Sequence, residues 1–131
     1  MRTQIAEKDA VRLEGVSKTY GRVTALNDVS WAFPRGGITA VMGPSGSGKS
    51  TFLHCASGLD RPTSGTVRIG DVDLNRLNEA GRTRLRRDRI GFVFQAFNLI
   101  PSMTVEQNVT LPQRLAGRKA DPARLAEIIR R

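Results

Sequence analysis

The sequence predicts an α/β fold, with a core built on a parallel sheet and an N-terminal antiparallel β-subdomain. A glycine-rich loop stands between an apolar run and a helix-forming run, which is the strand, loop and helix order of such a core. Apolar and polar residues alternate upstream, as in half-buried antiparallel strands, whereas residues 38–42 are almost continuously apolar, as in a strand buried on both faces. The length of 131 residues suits one core.

The first two predicted strands form the antiparallel part of the sheet. Val11, Leu13 and Val16 are the apolar members of the first strand, which ends at the turn-forming residues 18–21. A second strand is predicted over residues 23–33, and a Pro-Arg-Gly-Gly turn then leads into residues 38–42. We therefore expect an antiparallel outer sheet beside a buried parallel strand.

The loop fits the pattern G-x-x-x-x-G-K-[ST], which binds phosphate. Glycine lets the backbone approach phosphate oxygens closely, and successive N–H groups at a helix start point at anions. The lysine supplies a mobile charge for the β and γ phosphates, and the serine hydroxyl is the hard oxygen ligand that Mg²⁺ prefers. The alternative is a glycine-serine loop that only connects a strand to a helix. The loop residues are Gly43, Pro44, Ser45, Gly46, Ser47, Gly48, Lys49 and Ser50.

Downstream, short elements are predicted between turn-forming residues. The helix after the loop is expected to end near Gly58, and residues 66–69 are expected to form a short strand. A basic helix over residues 78–87, capped by Asn78 and packed through Leu85, precedes an apolar strand over residues 90–94.

Two more helices are predicted near the end of the chain. Thr104 and Gln107 have the spacing of a capping box, so a helix is expected to begin there and to be interrupted or ended by Pro112. Asp121 and Pro122 open a last helix, because an acidic cap followed by proline at the first helical position is typical of a helix start.

Composition excludes several other classes of protein. A hydrophobic content of 39% and a charged content of 25% indicate a soluble globular domain. The net charge of +9 raises nucleic-acid binding, but the arginines are scattered and no zinc spacing or RNA-binding aromatic signature occurs, so no nucleic-acid partner is predicted. Cys55 is the single cysteine, which fits a reducing compartment and favours a small buried residue over a nucleophile. The N-terminus lacks the apolar core of a secretory signal, so a cytoplasmic chain is predicted.

With Tyr20 before the loop, Pro-Thr-Ser-Gly at residues 62–65 and Phe94-Gln95 after it, the chain resembles the nucleotide-binding domain of ATP-binding cassette (ABC) transporters. Residues 58–65 and 91–101 look most like the subgroup serving macrolide export and lipoprotein release. The resemblance implies a P-loop NTPase core and an ATP-binding subunit that couples ATP binding and hydrolysis to transport. It also implies Mg²⁺, a membrane-spanning permease, a second nucleotide-binding domain, and a place at the inner face of the cell membrane.

The resemblance also implies roles for single residues. Tyr20 stacks on adenine, and Thr51 extends the hydroxyl contacts to the phosphates. Lys49 and Gln95 are the catalytic candidates, and Ser50 and Gln95 are the metal ligands. The loop around Gln95 contacts the permease. The alternatives are an ordinary turn tyrosine, a helix-surface threonine and a plain strand-ending glutamine.

The family's serine-glycine-glycine signature, its Walker B strand ending in Asp-Glu, and its later histidine do not occur in the sequence. His54 does not replace that histidine, because it lies on the loop helix. We therefore expect residues 1–131 to be a partial domain, from the P-loop through the Q-loop and ending inside the helical subdomain. Phosphoryl transfer depends on charge stabilisation, so such a chain keeps ATP binding without competence for hydrolysis. Residues 38–42 should also lose apolar cover, which predicts marginal folding.

Two alternatives remain at this point. One is an inert or regulatory nucleotide-binding fragment without turnover. The other is a different P-loop enzyme, such as a small-molecule kinase or a GTPase.

Overall fold

The computed structural model describes residues 9–131, so the polar start over residues 1–8 lies outside the described part. The chain divides into two compact units, with the boundary between residues 86 and 87. The elements in chain order are β1 (Asp9–Tyr20), β2 (Val23–Pro34), α1 (Lys49–Ala56), β3 (Ser64–Ile69), β4 (Val72–Asp73), a 3-10 helix (Leu74–Arg76), α2 (Glu79–Arg89), α3 (Val105–Leu115) and α4 (Pro122–Arg130).

The first unit contains a four-stranded antiparallel sheet in the order β2, β1, β3, β4. β1 is paired on both sides, and Leu13 lies opposite Trp31 of β2 and Val67 of β3. Leu13, Val16 and Val67 are buried. The β1–β2 register shifts between Leu13 and Val16, where β1 has one residue more than β2, so the simple alternation of a regular strand is interrupted there. The predicted antiparallel β-subdomain is therefore confirmed.

The helix after the glycine loop packs against β1, β2 and β3. The rings of Phe33 in β2 and Phe52 in α1 have their centroids 5.8 Å apart. The helix ends as predicted, with Gly58 in a left-handed conformation (φ 77°) just beyond it. The mixed α/β fold is thereby confirmed, and α1 is fixed to the sheet.

The predicted helix starts are also confirmed. The Asn78 side chain accepts a hydrogen bond from the backbone N–H of Gly81 at 2.8 Å. Thr104 and Gln107 form both bonds of the capping box. Asp121 caps α4 by accepting from the N–H of Ala123 at 3.0 Å. These caps depend on residues within three positions of one another, so the local sequence is sufficient to specify them.

The predicted parallel strands are not formed within residues 9–131. Residues 38–42 and 90–94 have no regular secondary structure, and Ile38 and Val93 are fully exposed. A strand forms only when a neighbouring strand satisfies its backbone N–H and C=O groups. In the described part of the chain no strand pairs with either run. The expected loss of apolar cover at residues 38–42 is confirmed, and the expected parallel strand is wrong for this chain.

One smaller prediction is wrong. Pro112 does not end α3, which continues to Leu115, and the Ala116 N–H donates to the Pro112 carbonyl at 3.1 Å to close the last turn. In α2, Leu85 is partly buried, and the fully buried residue is Arg82, which the sequence pattern did not indicate. Burial of an arginine depends on contacts with remote residues, which helix propensity does not describe.

The second unit covers residues 87–131 and contains the last three residues of α2, the loop that follows it, α3 and α4. The Asn108 side chain organises the loop before α3, because it donates to the carbonyls of Ile100, Met103 and Thr104 and accepts from the N–H of Ile100 at 2.8 Å. Large apolar side chains such as Leu99 and Val105 are exposed. Across residues 9–131, none of the helices is both long and apolar enough to cross a membrane.

Candidate functional site

The glycine loop is held against β2 at Gly48. This residue has φ 93°, and a Cβ placed on it would lie 2.5 Å from the Ala25 carbonyl oxygen. Only glycine tolerates both the left-handed conformation and that close approach. The Phe52 N–H donates to the Gly48 carbonyl at 2.8 Å, which begins α1. The sheet and the helix thus specify the shape of the loop between them.

The start of α1 is suited to an anion. Gly48 makes no side-chain cap, and the first turn has no acidic residue. The first backbone N–H groups of a helix have no partner within the helix, and its dipole favours negative charge at that end. The Lys49 ammonium adds a positive charge over the loop, where it donates to the carbonyls of Gly43 and Pro44.

One cavity of about 330 Å³ joins the loop to the end of β1. This volume falls in the range of about 300–1,000 Å³ that small-molecule sites occupy. The predicted residues Tyr20 and 45–51 line it together, while Gly43 and Pro44 lie just before them and contact Lys49. Sequence reasoning did not identify the β2 side of the cavity, which consists of Val23, Thr24 and Ala25.

Tyr20 is half-exposed (47%) at the mouth of this cavity. Its hydroxyl donates to Asp60 Oδ2 at 2.6 Å, and the Lys18 ammonium lies 5.0 Å from the ring centroid. The hydrogen bond to Asp60 raises the pKa of Tyr20, with Thr51 acting in the opposite direction, and the same bond lowers the pKa of Asp60. Asp60 carried no sequence signal beyond its place in a turn-rich connector.

The remaining predicted residues are placed differently. Ser50 is exposed beside Lys49, and Thr51 is partly buried beside it. Gln95 is exposed and belongs to the second unit, so its participation in the site stays a prediction. Cys55 is completely buried, and burial raises the pKa of its thiol, which agrees with the predicted structural role.

The far end of α1 is anchored by buried arginine. Arg82 is only 2% exposed, and its guanidinium donates to the carbonyls of Gly58, Asp60 and Leu74 at 3.2, 3.3 and 3.4 Å. Arg86 donates to the Gly58 carbonyl at 2.8 Å. Burial lowers the pKa of Arg82, and the nearby Arg61 acts in the same direction. Positive charge stabilises the C-terminal end of a helix, so these arginines hold the helix whose other end forms the loop.

Comparison with known proteins gives the same picture of the chain. The model of the ABC transporter family matches residues 26–131. The methionine import ATP-binding protein MetN 2 of Burkholderia mallei is 47% identical over 125 residues, which are 92% of this chain and 31% of that protein. The lipoprotein-releasing system ATP-binding protein LolD of Legionella pneumophila is 48% identical over 96 residues, which are 73% of this chain and 42% of that protein.

A solved structure is similar as well. It is a dimeric, post-hydrolysis state of the ATP-binding cassette MJ0796 bound to ADP and Pi. It matches with a TM-score of 0.79 and 43% identity, and the match covers 89% of this chain and 53% of that one. The chain thus spans from 31% to 53% of the length of these three proteins.

Proposed function

The chain belongs to the ABC transporter family. We propose that it binds ATP as part of a subunit that couples ATP binding and hydrolysis to transport. The cavity shared by Tyr20 and residues 45–51 carries the proposal, because an aromatic ring and a phosphate loop line the same space. Family membership confirms the resemblance drawn from the sequence.

The described residues suit each part of a nucleotide. The N–H groups at the start of α1 and the Lys49 ammonium would hold the β and γ phosphates. The half-exposed Tyr20 ring would stack on adenine, a contact worth on the order of 1 kcal/mol. Gly48 supports this assignment, because a side chain there would collide with β2 and push the loop away.

The Ser50 hydroxyl, which lies beside Lys49, would hold Mg²⁺, and Gln95 stays a proposed second ligand. When bound to phosphates, Mg²⁺ neutralises the charge that develops during phosphoryl transfer. Gln95 would also orient the attacking water, which keeps it with Lys49 as a proposed catalytic residue. The hydroxyl of Thr51 would extend the phosphate contacts.

The proposed partners follow from the family. A membrane-spanning permease would contact the loop around Gln95, and a second nucleotide-binding domain would complete the site, at the cytoplasmic face of the membrane. The cassette MJ0796 is dimeric, which supports the second partner. The resemblance of residues 58–65 and 91–101 favours export, and the relatives include both an import subunit and a releasing-system subunit. That residues 1–131 form a partial domain, from the P-loop through the Q-loop and ending inside the helical subdomain, stays a prediction.

Replacement of Lys49 tests the phosphate site. Lys49→Ala should weaken ATP binding by about 1.5–3 kcal/mol, the range for a hydrogen bond to a charged group. This corresponds to roughly a 10- to 150-fold rise in Kd, measured by isothermal titration calorimetry with Mg-ATP. Lys119→Ala is the matched control, because it removes the same charge from an exposed position in the second unit. Equal affinity in the Lys49 variant would contradict the assignment.

Phosphate release measured beside binding separates the remaining functions. ATP binding without release supports a nucleotide-binding chain without turnover. A preference for GTP, or transfer of phosphate to a small acceptor, would favour a different P-loop enzyme.

A further inference from the structure

The end of β1 is fastened to the loop of residues 60–63, which we call the 60–63 loop. Four consecutive residues of β1 make hydrogen bonds to it. The Ser17 carbonyl accepts from the Thr63 N–H at 2.8 Å, and the Thr19 N–H donates to Thr63 Oγ1 at 3.0 Å. The Lys18 ammonium donates to Asp60 Oδ1 at 3.0 Å and to the Arg61 carbonyl at 2.6 Å. The Tyr20 hydroxyl donates to Asp60 Oδ2 at 2.6 Å.

Asp60 uses both carboxylate oxygens in this arrangement. Oδ2 accepts from the Tyr20 hydroxyl, and Oδ1 accepts from the Lys18 ammonium and from the Arg61 N–H at 2.8 Å. The Lys18 ammonium also lies over the Tyr20 ring. Hydrogen bonds to an ionised group are shorter and stronger than neutral ones, so the phenol is held both at its hydroxyl and at one face.

The backbone of Asp60 is held as firmly as its side chain. Its N–H donates to the His54 carbonyl in α1 at 3.1 Å, and its carbonyl accepts from buried Arg82 at 3.3 Å. Asp60 is therefore fixed to the helix whose first residue is Lys49. A ring bonded to Asp60 keeps a defined position relative to the phosphate loop.

We propose that Asp60 is a positioning residue, which orients the Tyr20 ring for the adenine base before nucleotide binds. This inference rests on the proposed function, because it takes Tyr20 as the adenine contact. Asp60 is not among the residues that line the cavity, so its effect would pass through Tyr20. Ordering a side chain in advance removes that entropic cost from the binding step, so loss of the Asp60 carboxylate should raise the Kd for ATP about three- to tenfold. The 60–63 loop keeps its other bonds to Ser17, Lys18 and Thr19 without that carboxylate.

The test compares Asp60→Ala, Tyr20→Phe and the double variant, with Mg-ATP and inorganic triphosphate as the two probes. Tyr20→Phe removes one oxygen atom and leaves the ring. Each single change should raise the Kd for ATP about three- to tenfold, and the double variant should lose no more than either single one, because both changes delete the same bond. Binding of triphosphate should be unchanged, since it involves only the phosphate loop.

Three results of these binding measurements would overturn the proposal. The first is that Asp60→Ala and Tyr20→Phe bind ATP with wild-type affinity while Tyr20→Ala binds it more weakly. This result would reject the positioning role of Asp60 and would retain the adenine contact of Tyr20. An equal loss for triphosphate in Asp60→Ala makes Asp60 a support of the whole loop. Unchanged ATP affinity in Tyr20→Ala rejects the adenine contact, and the positioning role falls with it.

A second measurement reads the ring directly. Tyr20 is the only tyrosine of the chain, so incorporation of 3-fluorotyrosine labels one site. Without nucleotide, Asp60→Ala should move the fluorine resonance toward that of the urea-unfolded chain. Asp88→Ala, which makes the same change in net charge at an exposed residue, should leave the resonance in place. An unchanged resonance in Asp60→Ala would show that Asp60 does not hold the ring.

Discussion

β1 and residues 38–42 are both apolar segments of strand-forming sequence, yet only β1 is a strand. β1 has a neighbour on each side, and Leu13 is 1% exposed, whereas Ile38 is 102% exposed and its run is unpaired in the described part of the chain. Apolar character therefore specifies a strand only where other strands complete its hydrogen bonds and cover its side chains.

The glycine loop combines an unpaired segment with a packed one. The run before it is unpaired within residues 9–131, but Gly48 lies against Ala25 of β2, and Arg82 donates to the Gly58 carbonyl beyond the far end of α1. The loop therefore owes its shape to the antiparallel sheet and to α1. Residues 90–94 repeat the unpaired case, and there the rings of Phe92 and Phe94 stack on each other at 5.5 Å.

The largest expected effect compares two isoleucines. Ile69→Ala in buried β3 should lower the free energy of unfolding by about 2–5 kcal/mol, because it removes apolar contacts and leaves a cavity. Ile38→Ala should change it by no more than about 0.5 kcal/mol, because Ile38 has no buried contacts to lose. Urea unfolding followed by the fluorescence of Trp31, the only tryptophan, measures both. Equal effects at the two positions would contradict the contrast.

Thiol reactivity gives the next contrast. Cys55 is buried and its thiol pKa is raised, so it should react with a disulfide reagent only after local opening. A cysteine introduced as Ile38→Cys, with Cys55→Ala, should react at least about a hundredfold faster. Absorbance of the released aromatic thiol follows both rates. Rapid reaction of Cys55 in the wild-type chain would show that α1 is not packed on the sheet.

Two arginines of α2 extend the comparison to polar residues. Arg82→Met should lower the free energy of unfolding by about 1–3 kcal/mol, because the carbonyls of Leu74 and Asp60 lose a buried donor. Arg84→Met, at an exposed position of the same helix, should change it by no more than about 0.5 kcal/mol. The same urea transitions measure both, and a stable Arg82 variant would mean that water replaces the guanidinium.

The smallest effect is a pH dependence at the end of β1. The hydrogen bond from Tyr20, together with Lys18, lowers the pKa of Asp60 in the folded chain. The ionised carboxylate therefore stabilises the fold at pH values above its pKa in the unfolded chain, about 3.9. This contribution disappears as the pH falls through the lower pKa of the folded chain. The pKa of Tyr20 is raised, chiefly by its bond to Asp60, so its contribution is present below about pH 10 and disappears as pH rises through the folded value.

Unfolding measured from low to high pH checks this. The stability difference between wild type and Asp60→Ala should be constant between about pH 5 and about pH 9 and should shrink on either side. Ile38→Ala should follow the wild-type profile. A difference that does not change with pH would mean that the Asp60 carboxylate makes no net contribution.

Features that depend on neighbouring residues could be predicted from the sequence. The alternation in β1 and β2, the glycine loop, and the caps at Asn78, Thr104 and Asp121 all involve groups a few positions apart, so they were predictable and are present. The loop motif likewise specified most of the candidate site.

Contacts between residues far apart in the sequence became visible only in the folded structure. Tyr20 and Asp60 are forty positions apart, and Arg82 is buried only because three carbonyls converge on it. The runs at residues 38–42 and 90–94 have strand sequences but pair with no strand within residues 9–131. Strand pairing and burial are contacts between segments that are remote in the sequence. A local sequence pattern indicates which contacts a segment could make, but it does not specify the segment that makes them.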